Sequence, residues 1–178
     1  TLLGDYNQAI LANVGESPTI LEAAGGYEHV ERMKLMRSYR STKPIVEFTS
    51  KIVPGGHEIQ AFNRDGRLPR IHLAVSESSQ LDQIKATIRE RQQEGQETIA
   101  ILGRTKEECK HIASSLQDEF SPRFIYKESQ TFEKGLMVLP VYLAKGIEFD
   151  SVIIPDASAA TYYRENERKL FYTACTRA

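Results

Sequence analysis

Four short stretches of the sequence carry the residue types that recognise charged and aromatic ligands. They are TLLGDYNQAI (1–10), MRSYRST (36–42), AKGIEFDSVIIPD (144–156) and ENERKLFYTACTRA (165–178). Arginines from separate loops suit an anion with delocalised charge, because guanidinium groups bind phosphate oxygens in a planar, often bidentate way. A tyrosine between arginines can stack on a base, and a glutamate after a glycine turn can accept hydrogen bonds from ribose hydroxyls. Together, the four stretches predict a nucleotide site.

Each stretch taken singly has an ordinary explanation. Arg40 can be a surface cation at a helix start, and Glu148 can cap a neighbouring turn. Arg177 can be a solvated charge near a helix C-terminus, where the helix dipole favours cations. The prediction of a nucleotide site depends on their combination, because the loops at the strand ends of a parallel α/β sheet converge on one crevice.

Two parts of a complete nucleotide site are missing from the sequence. No phosphate-binding loop of the pattern G-x-x-x-x-G-K-[ST] occurs, and no predicted strand ends in paired acidic residues that could hold magnesium. The sequence therefore predicts one wall of a site whose other wall belongs to a different domain.

The composition bounds the class of protein. With 178 residues, of which 40% are apolar and 26% charged, the chain is long enough for one domain with its own core. The net charge of −1 gives no global attraction to nucleic acid, so any nucleic-acid site has to be a local patch. Two distant cysteines, no apolar run of bilayer length and no signal-like N-terminus predict a cytoplasmic protein with no membrane contact. The four histidines lack the spacing of metal ligands, so no metal site is predicted.

Short apolar runs alternate with helical patterns along the chain. Strands are predicted at 70–75, 98–103, 123–126, 136–140 and 151–155, and helices at 44–53, 76–95, 104–120 and from about residue 163 to the end. Thr105 and Glu108 have the spacing of a capping box at the start of the third helix. Strand–helix alternation favours one α/β domain with a parallel sheet flanked by helices, and the turn-rich stretch 53–70 is expected to be a long surface connection.

Three of the stretches resemble the C-terminal conserved motifs of superfamily 1 helicases of the UvrD/Rep type. The motifs are YRST, KGIEFD and YTACTRA, in the order and spacing of that family. GDYNQAI is similar to the motif that closes the first motor domain of that family, and AILGRTKEE (100–108) resembles a weaker segment between the others. In these helicases two RecA-like domains sandwich ATP. The resemblance implies a second RecA-like motor domain without a phosphate loop at 13–178, truncated in its last motif helix, with residues 1–12 the tail of the first motor domain.

The resemblance also implies the residues that contact the nucleoside. Tyr39 would stack on adenine, and Glu148, beside the glycine turn at Gly146, would bind ribose. Gln8 would sense the γ-phosphate across the cleft, and Asp5 would support the loop that carries Gln8.

Two arginines are implied to act on the γ-phosphate. Arg40 and Arg177 would serve as arginine fingers, which stabilise charge at the transferring phosphoryl group and engage only when the two domains meet. ATP and Mg²⁺ would be held mainly by an N-terminal motor domain of the same protein. The isolated chain is accordingly expected to have no ATPase activity.

A second group of residues is a candidate nucleic-acid contact. Arg104 and Thr105 either touch nucleic acid or cap the following helix, and Tyr142 can stack on a base of single-stranded DNA. Arg64, Arg67 and Arg70 recur every three residues and are either a phosphate-binding patch or a solvated face.

The sequence departs from the usual helicase pattern at three places. Pro140 and Tyr142 stand where the family carries threonine and histidine, Ser38 replaces the usual asparagine, and only residues 127–134 stand where a large accessory domain is usual. The stretch LPVYLAKGIEFD resembles the HelD branch, whose members act on bacterial RNA polymerase.

Three functions therefore compete. The first is the second motor domain of an ATP-dependent helicase or translocase acting on single-stranded or duplex DNA. The second is an ATPase that binds RNA polymerase and releases it from nucleic acid. The third is a degenerate module without a nucleotide role, and the complete set of site residues argues against it, since a degenerate site is expected to lose such costly charges.

Overall fold

The computed structural model describes residues 6–8, 26, 33, 36–127 and 131–178. The strands are β1 (Arg37–Ser38), β2 (Gln60–Ala61), β3 (Thr98–Gly103), β4 (Arg123–Phe124), β5 (Gly135–Pro140) and β6 (Ser151–Ile153). The α-helices are α1 (Lys43–Thr49), α2 (Glu77–Gln93), α3 (Lys106–Phe120) and α4 (Glu165–Cys175). Short 3₁₀ helices cover Tyr6–Gln8, Gly56–Glu58 and Val141–Ala144.

The main sheet is parallel throughout the described residues. Its strand order is β4-β5-β3-β6, and Ile101 of β3 lies opposite Val138 of β5 and Ile153 of β6. β1 and β2 form a separate two-stranded parallel sheet. Parallel strands need crossover connections, and α3 provides the one between β3 and β4. The predicted fold class, an α/β domain with parallel sheet and flanking helices, is confirmed.

The central strand β3 separates two halves of the core. Ile99 and Ile101 face the side covered by α2 and α3, where they pack with Ile88 and Leu116. Alternate residues of the strand face the other side, where Leu102 lies in a cluster that includes residues of β5 and α4. A strand covered on both faces reads as a continuous apolar run, which is why TIAILG contains no polar alternation.

The start of α3 was predicted correctly. The Thr105 hydroxyl accepts a hydrogen bond from the Glu108 N–H at 3.1 Å, and the Glu108 carboxylate accepts from the backbone of the cap, which completes a capping box. Cys109 lies in the first turns of this helix and is fully buried, and desolvation raises the pKa of its thiol to about 12. Neither cysteine forms a disulfide.

The strand predicted at 70–75 is absent. Its alternating apolar side chains are exposed, Leu73 by 91% and Val75 by 96%, and no other described strand pairs with it. Surface ion pairs are found at and just before the start of this stretch instead. Arg67 pairs with Glu94 and Arg70 pairs with Glu90, and both glutamates lie at the C-terminal end of α2. An alternating pattern specifies extended backbone, but a strand also requires a neighbour that offers free backbone groups.

Other predicted boundaries were wrong as well. α1 ends at Thr49 and not near residue 53, because the hydroxyls of Thr49 and Ser50 bond to preceding carbonyls and compete with the helical ladder. The strands predicted at 123–126 and 151–155 are shorter and cover only β4 and β6. The last helix begins at Glu165 and ends at Cys175, and its final turn tightens as the Arg177 N–H bonds to the Ala174 carbonyl. None of the helices in the described ranges combines the length and apolarity needed to cross a bilayer.

The loop before β6 is fastened to the start of β3. One carboxylate oxygen of Asp150 accepts hydrogen bonds from the Thr98 N–H at 2.8 Å, the Thr98 hydroxyl at 2.9 Å and the Glu97 N–H at 2.9 Å. The Thr98 hydroxyl in turn accepts from the Asp150 N–H at 2.9 Å. The bond from the Thr98 backbone, followed by those from its hydroxyl and from Glu97, lowers the pKa of Asp150 below its ordinary value.

We expect Asp150→Ala to lower the free energy of unfolding by about 1–2 kcal/mol at neutral pH, because three donors lose a charged acceptor that is itself exposed to solvent. A depressed carboxyl pKa stabilises the fold above the ordinary value and loses this effect as the pH falls through the folded value. The difference between the parent chain and Asp150→Asn in urea unfolding should therefore shrink below about pH 4. A difference that is constant down to about pH 2 would contradict the assignment.

Candidate functional site

The first part of the candidate site is the loop that follows β1. β1 pairs with β2, and the Phe62 N–H donates to the Ser38 carbonyl at 2.8 Å, which fixes the backbone just before Tyr39. The Tyr39 side chain is 65% exposed, and one part of its ring packs against the ring of Phe62. An exposed aromatic surface on a fixed backbone is suited to stacking on a flat ligand.

Arg40 contacts the second part of the site, which lies 108 residues further along the chain. Its guanidinium forms an ion pair with the carboxylate of Glu148, and the two side chains are 35% and 57% exposed. Gly146 has a φ of +88°, so the turn that presents Glu148 uses backbone geometry that favours glycine. The structure therefore brings Arg40, Gly146 and Glu148 to one place.

The third part of the site is Arg177, directly after α4. Its side chain is fully buried, and its Nε donates to the Thr173 carbonyl at 3.0 Å. Its Nη2 donates to Thr176 Oγ1 at 3.1 Å and to Gln8 Oε1 at 3.3 Å. The end of the last helix and the 3₁₀ turn at Tyr6–Gln8 are therefore joined through one guanidinium.

Backbone contacts place these parts side by side. The Phe149 N–H donates to the Arg177 carbonyl at 2.8 Å, so the residue after Glu148 is bonded to the end of α4. Ser41 and Thr176 line one small pocket, which shows that the loop after Arg40 lies against the same helix end. Gln8, Tyr39, Arg40, Glu148 and Arg177, predicted from separate motifs, therefore form one continuous group. Asp5 and the predicted boundary at residues 12 and 13 lie outside the described residues.

Arg104, Thr105 and Tyr142 lie at another place, the carboxyl edge of the sheet. Gly103 and Pro140 are opposite each other at the ends of β3 and β5, so the residues that follow them emerge at the same edge. Tyr142 is half-exposed there. The Thr105 hydroxyl caps α3, which is one of the two alternatives for this residue.

Arg104 borders a cavity between the starts of α3 and α4. The cavity has a volume of about 310 Å³ and is lined by Arg104, Thr105, Arg164, Asn166, Glu167 and Leu170. The Arg104 guanidinium forms an ion pair with Glu167, whose carboxylate is nearly buried. Glu167 and Arg177 stand ten positions apart at opposite ends of α4, about 15 Å along a helix axis. The two groups of candidate residues are therefore joined by one helix.

Sequence reasoning missed several residues of these groups. Phe62 and Arg64 lie in the turn-rich connection, where nothing but an isolated aromatic residue and a basic repeat marked them. Arg64 donates to the Arg40 carbonyl at 2.6 Å, whereas Arg67 and Arg70 form ion pairs with Glu94 and Glu90, and whether this repeat binds phosphate stays a prediction. Glu167 accepts a hydrogen bond from the Arg164 N–H at 3.3 Å at the start of α4, but arginine has no side-chain acceptor for the reciprocal bond, so no capping-box motif marked Glu167 in the sequence.

Within the described ranges, no group of three or more histidine, cysteine, aspartate or glutamate side chains is placed to hold a metal ion. The expectation that Mg²⁺ is held mainly outside this chain stays a prediction.

The fold and the grouped residues define the class of protein, an α/β domain of the RecA-like helicase C-terminal type. Two family models described as UvrD-like helicase C-terminal domain match the chain, one over residues 33–139 and one over residues 135–178. The C-terminal domain of a possible DNA helicase from Lactobacillus plantarum WCFS1 is similar in structure, with a TM-score of 0.66 and 35% identity, over 79% of this chain and 82% of that one. No curated protein matches the sequence. The chain belongs to the family of UvrD-like helicase C-terminal domains.

We expect the coupling free energy between Arg40 and Glu148 to be small, about 0.5 kcal/mol, because both side chains are exposed and solvent screens their attraction. A double-mutant cycle with Arg40→Ala and Glu148→Ala in urea unfolding measures it. The matched cycle uses Arg104→Ala and Glu167→Ala, where a nearly buried carboxylate predicts a coupling of about 1–3 kcal/mol. Equal coupling energies in the two cycles would contradict this ranking.

Proposed function

We propose that the chain is the C-terminal motor domain of an ATP-dependent DNA helicase or translocase. One observation carries the proposal: the YRST, KGIEFD and YTACTRA motifs meet at one end of α4, where Arg40 pairs with Glu148 and Arg177 contacts Gln8. The family assignment supports a motor domain of a DNA helicase.

The exposed groups fit the base and sugar of a nucleotide. Tyr39 presents an aromatic ring to solvent, and the Glu148 carboxylate is more than half exposed. In this proposal Tyr39 stacks on adenine, Glu148 accepts hydrogen bonds from ribose hydroxyls, and the turn at Gly146 leaves room for that approach because no atom lies within 4 Å of the position of a Cβ there.

Arg40 has to leave Glu148 to bind a phosphate, and the structure makes this exchange inexpensive. An exposed ion pair contributes about 0–1 kcal/mol, so a more strongly charged phosphate oxygen can replace the carboxylate. Glu148 released from Arg40 is then free to accept from ribose. The ion pair therefore keeps both side chains near their proposed binding positions, and either side chain can leave the pair at a small cost in free energy.

Arg177 differs because its guanidinium is already desolvated. The Thr173 carbonyl, the Thr176 hydroxyl and the Gln8 amide oxygen hold it in one orientation, which reduces the reorganisation needed when negative charge develops nearby. In this proposal Gln8 and Arg177 respond together to the γ-phosphate.

ATP supplies the transferable phosphoryl group, and the N-terminal motor domain of the same protein is proposed to bind its phosphates together with Mg²⁺. The described residues of this chain offer cations and an aromatic ring to such a nucleotide. Under this proposal the 178-residue chain alone does not hydrolyse ATP.

The second candidate is an ATPase of the HelD type that releases RNA polymerase from nucleic acid. It is favoured by the short connection between β4 and β5, because residues 125–134 are too few to contain a large accessory domain. ATPase assays of the full-length protein separate the two candidates. Stimulation by single-stranded DNA alone supports the helicase, and stimulation by RNA polymerase alone supports the second candidate.

Arg40→Ala in the full-length protein should lower kcat by about two orders of magnitude or more with a modest change in KM, because a finger acts on charge that develops in the transition state. Arg177→Ala should behave in the same way, with circular dichroism as a check on folding because its side chain is buried. The control is Lys51→Ala, an exposed cation beyond the end of α1. A near-normal kcat for Arg40→Ala would remove Arg40 from the mechanism.

Arg104→Ala should weaken binding of a fluorescent oligothymidylate by the full-length protein. If Arg104 contacts one phosphate, the slope of log K against log salt should become less steep by roughly 1. Arg89→Ala is a matched control, because Arg89 also pairs with a glutamate, Glu119, on the α2–α3 surface. An unchanged affinity and slope would exclude Arg104 from the nucleic-acid site and leave only its ion pair with Glu167.

A further inference from the structure

Residues 60–64 lie alongside the loop that carries Tyr39 and Arg40. The Gln60 N–H donates to the Met36 carbonyl at 2.7 Å, and the Phe62 N–H donates to the Ser38 carbonyl at 2.8 Å. The Arg64 guanidinium then donates to the Arg40 carbonyl at 2.6 Å. Gln60, Phe62 and Arg64 therefore hold the backbone on both sides of Tyr39. The segment 60–64 is here named the platform.

The platform also supports the Tyr39 side chain. The rings of Tyr39 and Phe62 have centroids 4.8 Å apart and an interplanar angle of 33°. Phe62 is itself 47% exposed, so part of the Phe62 side chain stays open to solvent beside Tyr39. An aromatic ring has two faces, so Phe62 restricts the Tyr39 rotamers on one side and leaves the other side open.

We propose that Phe62 is a positioning residue for the purine base. Within the platform, Phe62 acts on the base contact and Arg64 acts on the phosphate contact. Phe62 orients the Tyr39 ring, so that a base, Tyr39 and Phe62 form a continuous stack. Arg64 fixes the backbone of Arg40 and thereby the place from which its guanidinium reaches the phosphates. This inference depends on the proposed nucleotide-binding function and adds residues from a segment outside the sequence motifs.

The two residues should affect different kinetic constants. Base stacking contributes equally to the ground state and the transition state, so its loss raises KM and leaves kcat unchanged. The position of Arg40 matters most when charge develops on the phosphoryl group, so its loss lowers kcat. A merely structural role would instead lower kcat through a smaller folded fraction and would leave KM unchanged.

The test uses ATPase kinetics of the full-length protein. Phe62→Ala should raise the KM for ATP about three- to tenfold at unchanged kcat, and Phe62→Tyr should restore the parent value, because it keeps the aromatic ring. Arg64→Ala should lower kcat about tenfold or more with little change in KM and with an unchanged melting temperature, whereas a fall in kcat that follows a lower melting temperature would show a merely structural role and overturn the assignment of Arg64. Leu68→Ala, at an exposed residue of the same surface connection, is the matched control and should change neither constant.

A second readout does not depend on turnover. Inorganic tripolyphosphate resembles the phosphates of ATP but has no base, so its inhibition constant should be the same in Phe62→Ala as in the parent protein. ATP binding measured by isothermal titration should weaken in Phe62→Ala by the same factor as KM. Equal weakening for ATP and tripolyphosphate would overturn the assignment of Phe62 to the base.

Tyr39→Ala distinguishes failure of this inference from failure of the proposed function. If Tyr39→Ala raises the KM for ATP and Phe62→Ala does not, Phe62 has no positioning role and the proposed function is untouched. If neither variant changes the KM or the affinity for ATP, the adenine contact itself is wrong. A fall in kcat at constant KM in Phe62→Ala, with a lower melting temperature, would show a purely structural role and overturn the inference.

Discussion

A fully buried guanidinium at the end of the last helix is the constraint on which the candidate site depends. A cation removed from water is very costly unless several acceptors surround it, and Arg177 meets this requirement with a carbonyl of its own helix, a neighbouring hydroxyl and the amide oxygen of Gln8. These partners come from opposite ends of the chain. Satisfying one charge therefore brings the first and last motifs together and fixes the helix end against which the Glu148 loop packs.

α4 connects the two groups of candidate residues. α4 begins at the cavity where Arg104 pairs with Glu167 and ends beside Arg177. Glu167 lies in α4 and Arg177 directly follows it, so a movement of this helix changes both contacts, and in the proposed function such a movement would couple the proposed nucleic-acid contact to the proposed phosphate contact.

Much of this could be predicted from the sequence, for reasons that differ from element to element. TIAILG identified the central strand because a run buried on both faces has no polar alternation, and Thr105 with Glu108 identified a helix start because the capping box is a local interaction. The strand predicted at 70–75 was wrong, because alternating apolar residues indicate an extended backbone but do not show that a neighbouring strand is present. The motifs indicated which residues belong to the site. They did not indicate Phe62 or Arg64. These two residues support the loop of Tyr39 and Arg40 from another segment of the chain, and such tertiary contacts produce no periodic pattern in the sequence.

The surface connection between β2 and α2 has a property that follows from how it is held. Its first part supports Tyr39 and Arg40, and its later part is tethered to α2 by pairs between Arg67 and Glu94 and between Arg70 and Glu90. All four side chains are accessible to water, so dissolved ions weaken the tether. In the proposed function, raising the ionic strength therefore acts on the segment that follows the support of the proposed base contact as well as on any binding of a polyanion. A decline of activity in concentrated salt is consequently not, by itself, a measure of dissociation from DNA.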